Sequence, residues 1–407
     1  MVTYPADWSK KTFSDFIKIK RGASPRPIDN YITNSPLGIN WIKIGDGSKN
    51  SKYITSTAER IIPEGRAKSV SVNAGDFLLS NSMSFGRPYI LAIDGCIHDG
   101  WLCLSDFDES ADSIFLFYLL SSSFIQEQYQ SLAAGSGVQN LNKDVVNKVI
   151  VYLPSLNEQR AIAETLTQFD DIVSSLNSLI EKKRGIREAS IHDLTSGITR
   201  LEDFNEDWTQ VSLSQITDSI ITGGTPSTAN PANYGGNIPW LSSGEIHQKR
   251  ITIPTSYITE YGLANSSAKI APQMSVLVAL AGQGKTRGTV ALLMEPMALN
   301  QSLAALVVND RCSSQFLYYL LNDKYSDLRE VSSGDGGRGG LNKKLLASFV
   351  VRIPSSIQEQ IAIADVIESM DNEISTLEAE RDKWQQIRDG AMGDLLTGRV
   401  RLKDWEV

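Results

Sequence analysis

The sequence predicts an α+β protein: two similar domains separated by two long helices packed as an antiparallel coiled coil, arranged about a pseudo-twofold. Three observations predict it. The chain repeats itself at an offset of 200 or 201 residues, as in Asp7-Trp8 and Asp207-Trp208, or Leu141-Asn142-Lys143 and Leu341-Asn342-Lys343. Each copy opens with strand-like runs between Gly, Ser, Asn and Thr turns. Each then closes on a long stretch of coiled-coil periodicity. A period of this length is domain-sized, far beyond that of a solenoid.

The first elements of each copy are strands. Phe77-Leu78-Leu79, Tyr89-Ile90-Leu91-Ala92-Ile93, Val276-Leu277-Val278-Ala279-Leu280 and Thr289-Val290-Ala291-Leu292-Leu293 are short apolar runs bounded by turn signals, the pattern of buried strands. Phe115 to Leu120 and Phe316 to Leu321 read as helices and correspond across the repeat. Glycine-rich loops follow, at Gly135-Ser136-Gly137 and from Gly334 to Gly340. A strand then comes from Val149 to Leu153, or from Phe349 to Ile353.

The helical stretches step by four and three residues through Ile162, Leu166, Phe169, Val173, Leu176 and Ile180. The second copy keeps the steps through Ile363, Ile367, Met370, Ile374 and Leu377, continuing by Arg381 to Trp384. This is a coiled-coil seam. No Pro interrupts it, although Gly185 and Gly390 are weak points. About forty residues at 1.5 Å each make a rod of roughly 60 Å. A single such helix has nowhere in a small domain to bury its seam, so the two are expected to bury each other; the alternative, each helix folded back on its own domain, would not need an unbroken heptad step.

Composition excludes several classes. No run is long and apolar enough for a membrane span, and Met1-Val2-Thr3-Tyr4-Pro5 leads straight into polar sequence, so no signal peptide is expected. Cys96, Cys103 and Cys312 are too scattered for a disulfide framework or a zinc knuckle. His98, His192 and His247 have no HxH or HExxH neighbour, and no metal site is expected. GxSxG is absent. Ala279-Leu280-Ala281-Gly282-Gln283-Gly284-Lys285-Thr286 satisfies a relaxed P-loop pattern, but Arg287-Gly288-Thr289-Val290 turns into a β-branched run where the phosphate-facing helix should begin. The better reading is a hairpin loop, matched by the loop carrying Phe85 and Arg87. The carboxylates Asp170-Asp171 fall on the coiled-coil segment, where a solvated face is the default. No catalytic residue is assigned.

The net charge of −8 hides a local polarity. Residues 1–90 hold thirteen Lys or Arg against seven Asp or Glu, whereas residues 91–150 hold two against eight. The basic part suits a phosphate-facing surface.

The segments Leu153-Pro154-Ser155 to Glu158-Gln159-Arg160-Ala161-Ile162-Ala163, and Ile353-Pro354-Ser355 to Glu359-Gln360-Ile361-Ala362, resemble the "LP…EQ…IA" signature of type I restriction-modification specificity subunits. The endings Thr195-Ser196-Gly197 to Arg200-Leu201 and Leu396-Thr397-Gly398 to Arg401-Leu402 resemble the same family. So do the openings, Asp7-Trp8 to Gly22-Ala23-Ser24-Pro25 and Asp207-Trp208 to Gly223-Gly224-Thr225-Pro226, and the pairs Trp41…Gly45-Asp46 and Trp240…Gly244-Glu245. The resemblance implies target-recognition domains at 1–153 and 205–353, with helical spacers at 154–204 and 354–407. It implies a non-catalytic, cytoplasmic subunit binding double-stranded DNA, two methyltransferase subunits and restriction (translocase) subunits. No cofactor is expected on this chain; S-adenosylmethionine belongs to the partner. Basic residues that differ between the copies imply two different half-sites. The closing Asp404-Trp405 echoes the domain openings, as expected of a quasi-circular arrangement. A non-catalytic scaffold with two protein-binding domains is the alternative.

Position in turn or Gly-rich loops selects the candidate DNA contacts. In the first copy they are Arg21, Ser24, Arg26, Lys43, Lys49, Lys52 and Arg87. In the second they are Thr225, Ser242, Lys249, Arg250, Gln283, Lys285, Arg287 and Arg338. Arg and Lys suit guanine or phosphate and Gln suits adenine.

Overall fold

Short alternating strands, capped helices and two long helices build the chain in a computed structural model that describes residues 3–48, 51–81, 86–107, 109–134, 141–282, 284–332 and 340–403. It folds as two units, one of residues 1–177 and 379–407 and the other of residues 178–378.

The strands of the first unit are β1 (Ser9–Thr12), β2 (Lys18–Arg21), β3 (Ile32–Thr33), β4 (Ile39–Ile42), β5 (Tyr53–Ile54), β6 (Glu59–Ile61), β7 (Val70–Val72), β8 (Phe77–Ser80), β9 (Pro88–Leu91), β10 (Gly95–Ile97), β11 (Trp101–Ser105) and β12 (Ile150–Leu153). They form two five-stranded sheets, ordered β2-β11-β8-β9-β5 and β3-β6-β4-β10-β7, and a β1-β12 pair. Strand β8 is wholly buried because both its faces are used. Phe77 and Leu79 face a helical core with Leu102 and Leu104, while Leu78 joins Trp101 and Cys103 in a core with Ile42, Val72 and Ile97. The two-residue period thus divides one apolar run between two layers. The helices are α1 (Pro63–Arg66), α2 (Ser113–Ser121), α3 (Ser123–Ala134), α4 (Lys143–Asn147) and the long α5 (Leu156–Ser196). The Asp112 carboxylate accepts from the Ile114 and Phe115 N–H groups to start α2.

The second unit repeats the plan with β13 (Trp208–Ser212), β14 (Thr217–Thr222), β15 (Tyr234–Leu241), β16 (Arg250–Ile251), β17 (Ser256–Ile258), β18 (Lys269–Ala271), β19 (Val276–Ala279), β20 (Val290–Leu293), β21 (Met297–Leu299), β22 (Leu303–Val308) and β23 (Val350–Pro354). Its sheets are β14-β22-β19-β20-β16, a four-stranded β17-β15-β21-β18 and a β13-β23 pair. Val276 and Val278 face the helical core, and Leu277 and Ala279 the other layer. Its helices are α6 (Glu260–Ala264), α7 (Ser314–Asp323), α8 (Tyr325–Val331), α9 (Lys343–Ser348) and the long α10 (Ile357–Leu395).

Each unit takes part of both long helices, and in each the two parts run antiparallel. In the first unit Ile162 and Leu166 share a core with Leu395, and farther along the helix Asp170 meets Arg388 at 3.1 Å, with the Phe169 and Trp384 rings 6.1 Å apart. In the second, Lys183 meets Glu373 at 2.6 Å and Arg187 meets Asp371 at 2.7 Å. Numbers rise along one helix as they fall along the other. Gly185 and Gly390 do not break the helices.

The seam is shared more unevenly than a coiled coil alone requires. Ile162 and Leu166 belong to the helical core of the first unit, with Leu395 and Leu396. Ile363 and Ile367 join that of the second, with Ile191 and Leu194. Val173, Leu176, Ile180 and Ile374 are buried, while Phe169, Met370, Leu377 and Trp384 are half-buried. Each helix therefore roots in its own domain through its first turns and meets the other helix beyond them.

Candidate nucleic-acid interface and its helical supports

The repeated signature residues converge at the foot of each long helix. Glu158, which is 2% exposed, receives Arg401 Nε at 2.7 Å and Nη2 at 2.8 Å. The same guanidinium donates to both oxygens of Asp7 at 2.9 Å and lies 5.6 Å from the Trp8 ring centre. In the second unit Arg200 Nε and Nη2 donate to Glu359 at 2.6 and 2.9 Å, Trp208 Nε1 donates to it at 3.1 Å, and Arg200 lies over the Trp208 ring. Burial works against the charge of Glu158, but Arg401 and the Leu402 N–H outweigh it, and its carboxyl is held below its ordinary value.

The adjacent glutamines hold α2 and α7. Gln159 Oε1 accepts from Asp112 N at 2.8 Å, and its amide donates to Ser110 O and Pro154 O. Gln360 does the same with Ser313 N at 2.9 Å, Arg311 O and Pro354 O. The Glu-Gln dipeptide, the Gly-x-x-Arg ending and the Asp-Trp opening are thus parts of one joint.

A second joint lies higher on each helix, and here the solvated-face expectation for Asp170 is corrected. Its carboxylate accepts from Tyr118 Oη at 2.7 Å, Lys52 Nζ at 2.8 Å and Arg388 Nη1 at 3.1 Å. Burial opposes its charge, yet these three donors outweigh it and lower its pKa. Burial, with the neighbouring carboxylate, pushes the Tyr118 phenol well above its ordinary value, so it stays a donor. In the second unit Tyr319 Oη donates to Asp371 at 3.0 Å, Arg187 pairs with Asp371, and Arg250 reaches Glu368 at 3.1 Å and Tyr319 Oη at 3.4 Å. Lys52 and Arg250, selected as DNA contacts, are placed at these joints with their charges occupied by helix carboxylates.

The remaining selected residues are spread over several strand ends, turns and loops of the two units. Arg21 is exposed at the end of β2. Ser24 Oγ donates to Asp99 Oδ1 at 3.2 Å, and Arg26, 81% exposed, reaches Asp99 Oδ2 at 3.3 Å. Lys43 is tied to Glu59. Arg87 lies over the Tyr89 ring, 5.5 Å from its centre. In the second unit Thr225 donates to Gln301, and Ser242 opens a short helical turn with its N–H and hydroxyl both on Glu245. Lys249 is exposed at φ +64°. Lys285 is exposed and Arg287 half-buried, in the hairpin between β19 and β20. Lys49, Gln283 and Arg338 lie outside the described residues, as do Phe85, Gly135-Ser136-Gly137, Gly334 to Gly339 and Asp404-Trp405. The structure brings together Ser24 with Arg26, and Lys285 with Arg287.

The P-loop-like segment is a hairpin loop. Two of its carbonyls accept from α8: Arg329 Nη1 donates to Gly284 O at 2.7 Å and Tyr325 Oη to Lys285 O at 2.9 Å. Strand β20 follows where a nucleotide site needs a helix. The three cysteines are buried and free, and burial pushes the Cys103 and Cys312 thiols up to about 12. Among the described residues no group of His, Cys, Asp and Glu is arranged to hold a metal ion, and no helix is long and apolar enough to cross a membrane.

The sequence analysis quoted Glu158, Glu359, Arg200 and Arg401 as signature residues without giving them a role, and missed Tyr118 and Tyr319. All recur at the offset of the other repeats, and that was the available signal.

Two similar domains are each rooted on a long helix by matching joints, and comparison with known proteins places this arrangement in a family. The type I restriction modification DNA specificity domain model matches residues 5–182 and again 205–384, and the chain belongs to that family. The chain is 25% identical to the type I restriction enzyme MjaVIII specificity subunit of Methanocaldococcus jannaschii, over 98% of this chain and 94% of that one. Among solved structures, a chain from work on complex assembly and conformational transition of the type I R-M system has a TM-score of 0.67 at 17% identity, covering 98% and 100% of the two chains. The HsdS subunit of Thermoanaerobacter tengcongensis has a TM-score of 0.58 at 18% identity, covering 98% of each. The protein is a type I specificity subunit with two recognition domains, and its role is DNA target recognition.

Proposed function

We propose that residues 1–153 and 205–353 are target-recognition domains that each read one half of a bipartite, asymmetric DNA sequence, with the helices setting the gap. The observation that carries this reading is the repeated pair of joints, Glu158 with Arg401 and Asp170 with Tyr118, matched by Glu359 with Arg200 and Asp371 with Tyr319. Joints of buried charges and bidentate guanidinium contacts fix a reader on a rod. In this reading the helices set the spacing of the half-sites, expected at about one DNA turn, or about 34 Å, on one face of the duplex.

In this reading the helices also dock two methyltransferase subunits, which carry S-adenosylmethionine and methylate adenine N6, and restriction subunits join the same complex. The work is done in the cytoplasm, where the DNA is. The chain itself contributes no chemistry. Arg21, Ser24, Arg26, Lys43 and Arg87, with Thr225, Ser242, Lys249, Lys285 and Arg287, remain the proposed DNA contacts among the described residues. Lys52 and Arg250 are assigned instead to holding the domains on their helices.

The test is DNA affinity of the chain complexed with its methyltransferase, measured against salt. Phosphate neutralisation predicts that log K falls with log salt at about −0.9 per phosphate contacted. The variant Arg21→Ala makes that slope shallower by about one. Affinity for DNA that is absent, or indifferent to salt, would move the reading to a protein-binding scaffold.

A further inference from the structure

The joints described above keep their central residues in both units, Glu158 with Arg401 and Glu359 with Arg200, Asp170 with Tyr118 and Asp371 with Tyr319, because they do the same work twice. Two readers of different half-sites must also contain places where the scaffold repeats but the side chain changes its hydrogen-bonding character. One such place is held unusually firmly.

The loop between β10 and β11 and the loop between β21 and β22 are built alike. Ala23 N donates to Ile97 O at 3.2 Å, and Gly224 N to Leu299 O at 2.9 Å. Trp101 N donates to His98 O at 3.1 Å, and Leu303 N to Asn300 O at 3.4 Å. Asn81 N donates to Gly100 O at 3.0 Å, and Leu280 N to Ser302 O at 2.8 Å. Even the first loop side chain plays one part in both: His98 Nδ1 accepts from Gly100 N, and Asn300 Oδ1 from Ser302 N, each at 3.0 Å. The chain after β2 or β14 is pressed onto this loop so closely that only glycine fits. A Cβ on Gly22 would stand 2.1 Å from His98 O, and one on Gly223 would stand 1.7 Å from Leu299 O.

On this shared frame the next residue differs. It is Asp99 in the first unit and Gln301 in the second, each held by the hydroxyl two residues after that glycine, Ser24 or Thr225. The Asp99 side chain is one-third exposed and Gln301 is exposed. Asp99 also receives Arg26, which offsets a charge that phosphates would otherwise repel, and His98 Nε2 at 3.0 Å, a donor from a ring whose Nδ1 already accepts. The place equivalent to Arg26 is Ser227, beside the neutral Gln301. Charge is thus balanced separately in each unit.

The geometry points to Asp99 and Gln301 as equivalent specificity-determining residues, each reading one base pair of its own half-site. This rests on the DNA-reading function proposed above. A carboxylate only accepts, which matches the exocyclic amine of cytosine; a carboxamide donates and accepts at once, which matches the adenine N6 and N7 edge. Both side chains are preset by their hydroxyl and by the loop backbone, so little freedom is lost when a base is bound.

The test uses the full chain expressed with its methyltransferase, with methylated motifs mapped by single-molecule sequencing. The unaltered chain, Asp99→Gln, Asp99→Asn and Gln301→Asp are compared. The expected result is that Asp99→Gln changes or relaxes one base pair of one half-site, discrimination there falling roughly 5- to 150-fold, while the other half-site and the gap stay as they were. Gln301→Asp does the reverse. The untouched half-site reports folding in the same sample. If Asp99→Gln abolishes all methylation, Asp99→Asn, which keeps the shape, decides by the same criterion. An unchanged motif in the Asp99 variants and in Gln301→Asp overturns the inference, as does uniform weakening across all sequences. A chain that yields no bipartite motif before any substitution overturns the proposed function itself.

Discussion

Removing one guanidinium should reveal how the first recognition domain is held. Arg401 makes four hydrogen bonds of 2.7 to 2.9 Å, two to Glu158 and two to Asp7. Glu158 is 2% exposed, and its other acceptor contact is a 3.3 Å bond from Leu402 N. Arg401→Ala therefore leaves a carboxylate buried with one weak donor. Breaking a buried pair from one side costs about 3–5 kcal/mol. Arg401 is itself 22% exposed, so water reaches part of the site and about 3 kcal/mol is expected. For a unit of this size about 2–4 °C is lost per kcal/mol, giving a fall of about 6–12 °C in the melting transition. Differential scanning calorimetry reads it, and a double-mutant cycle isolates it. Glu158→Gln together with Arg401→Ala should recover part of the loss, because no uncompensated charge remains. A shift below about 2 °C, or effects of the two substitutions that simply add, would refute the reasoning.

Three further outcomes follow from the same contacts. The carboxyls of Glu158 and Asp170 are held below their ordinary values of 4.5 and 3.8, so their contribution to stability is complete above those values and is lost as pH falls below them; acid titration of the melting temperature should show this, and Arg401→Ala should remove the Glu158 part. Gly223→Ala, whose Cβ would lie 1.7 Å from a carbonyl oxygen, should cost about 3 kcal/mol in urea unfolding, whereas Gly45→Ala, with nothing within 4 Å, should change stability by less than about 0.5 kcal/mol. Matched insertions of one heptad in α5 and α10 lengthen the rod by about 10.5 Å, so the methylated motif should gain about three base pairs of gap with both half-sites unchanged.

The long helices were legible because their periodicity is local and uninterrupted, and the buried strands because a strand covered on both faces is a continuous apolar run. Short edge strands such as β5 and β16 were not, since each is two residues long and exists only through its partner. The joints show the same limit. The signature strings could be seen, but Glu158 and Arg401 stand 243 residues apart and Arg401 and Asp7 stand 394 apart. Asp170 read as solvated because its own helix gives no hint of Tyr118 or Lys52. Basic type and a turn position selected Lys52 and Arg250 without distinguishing a charge facing solvent from one facing a carboxylate.

The most direct measurement is the map of N6-methyladenine in cells carrying the methyltransferase with and without this chain. The account predicts one bipartite motif with unlike halves, present with the chain and absent without it. Methylation that is unchanged when the chain is deleted would contradict it.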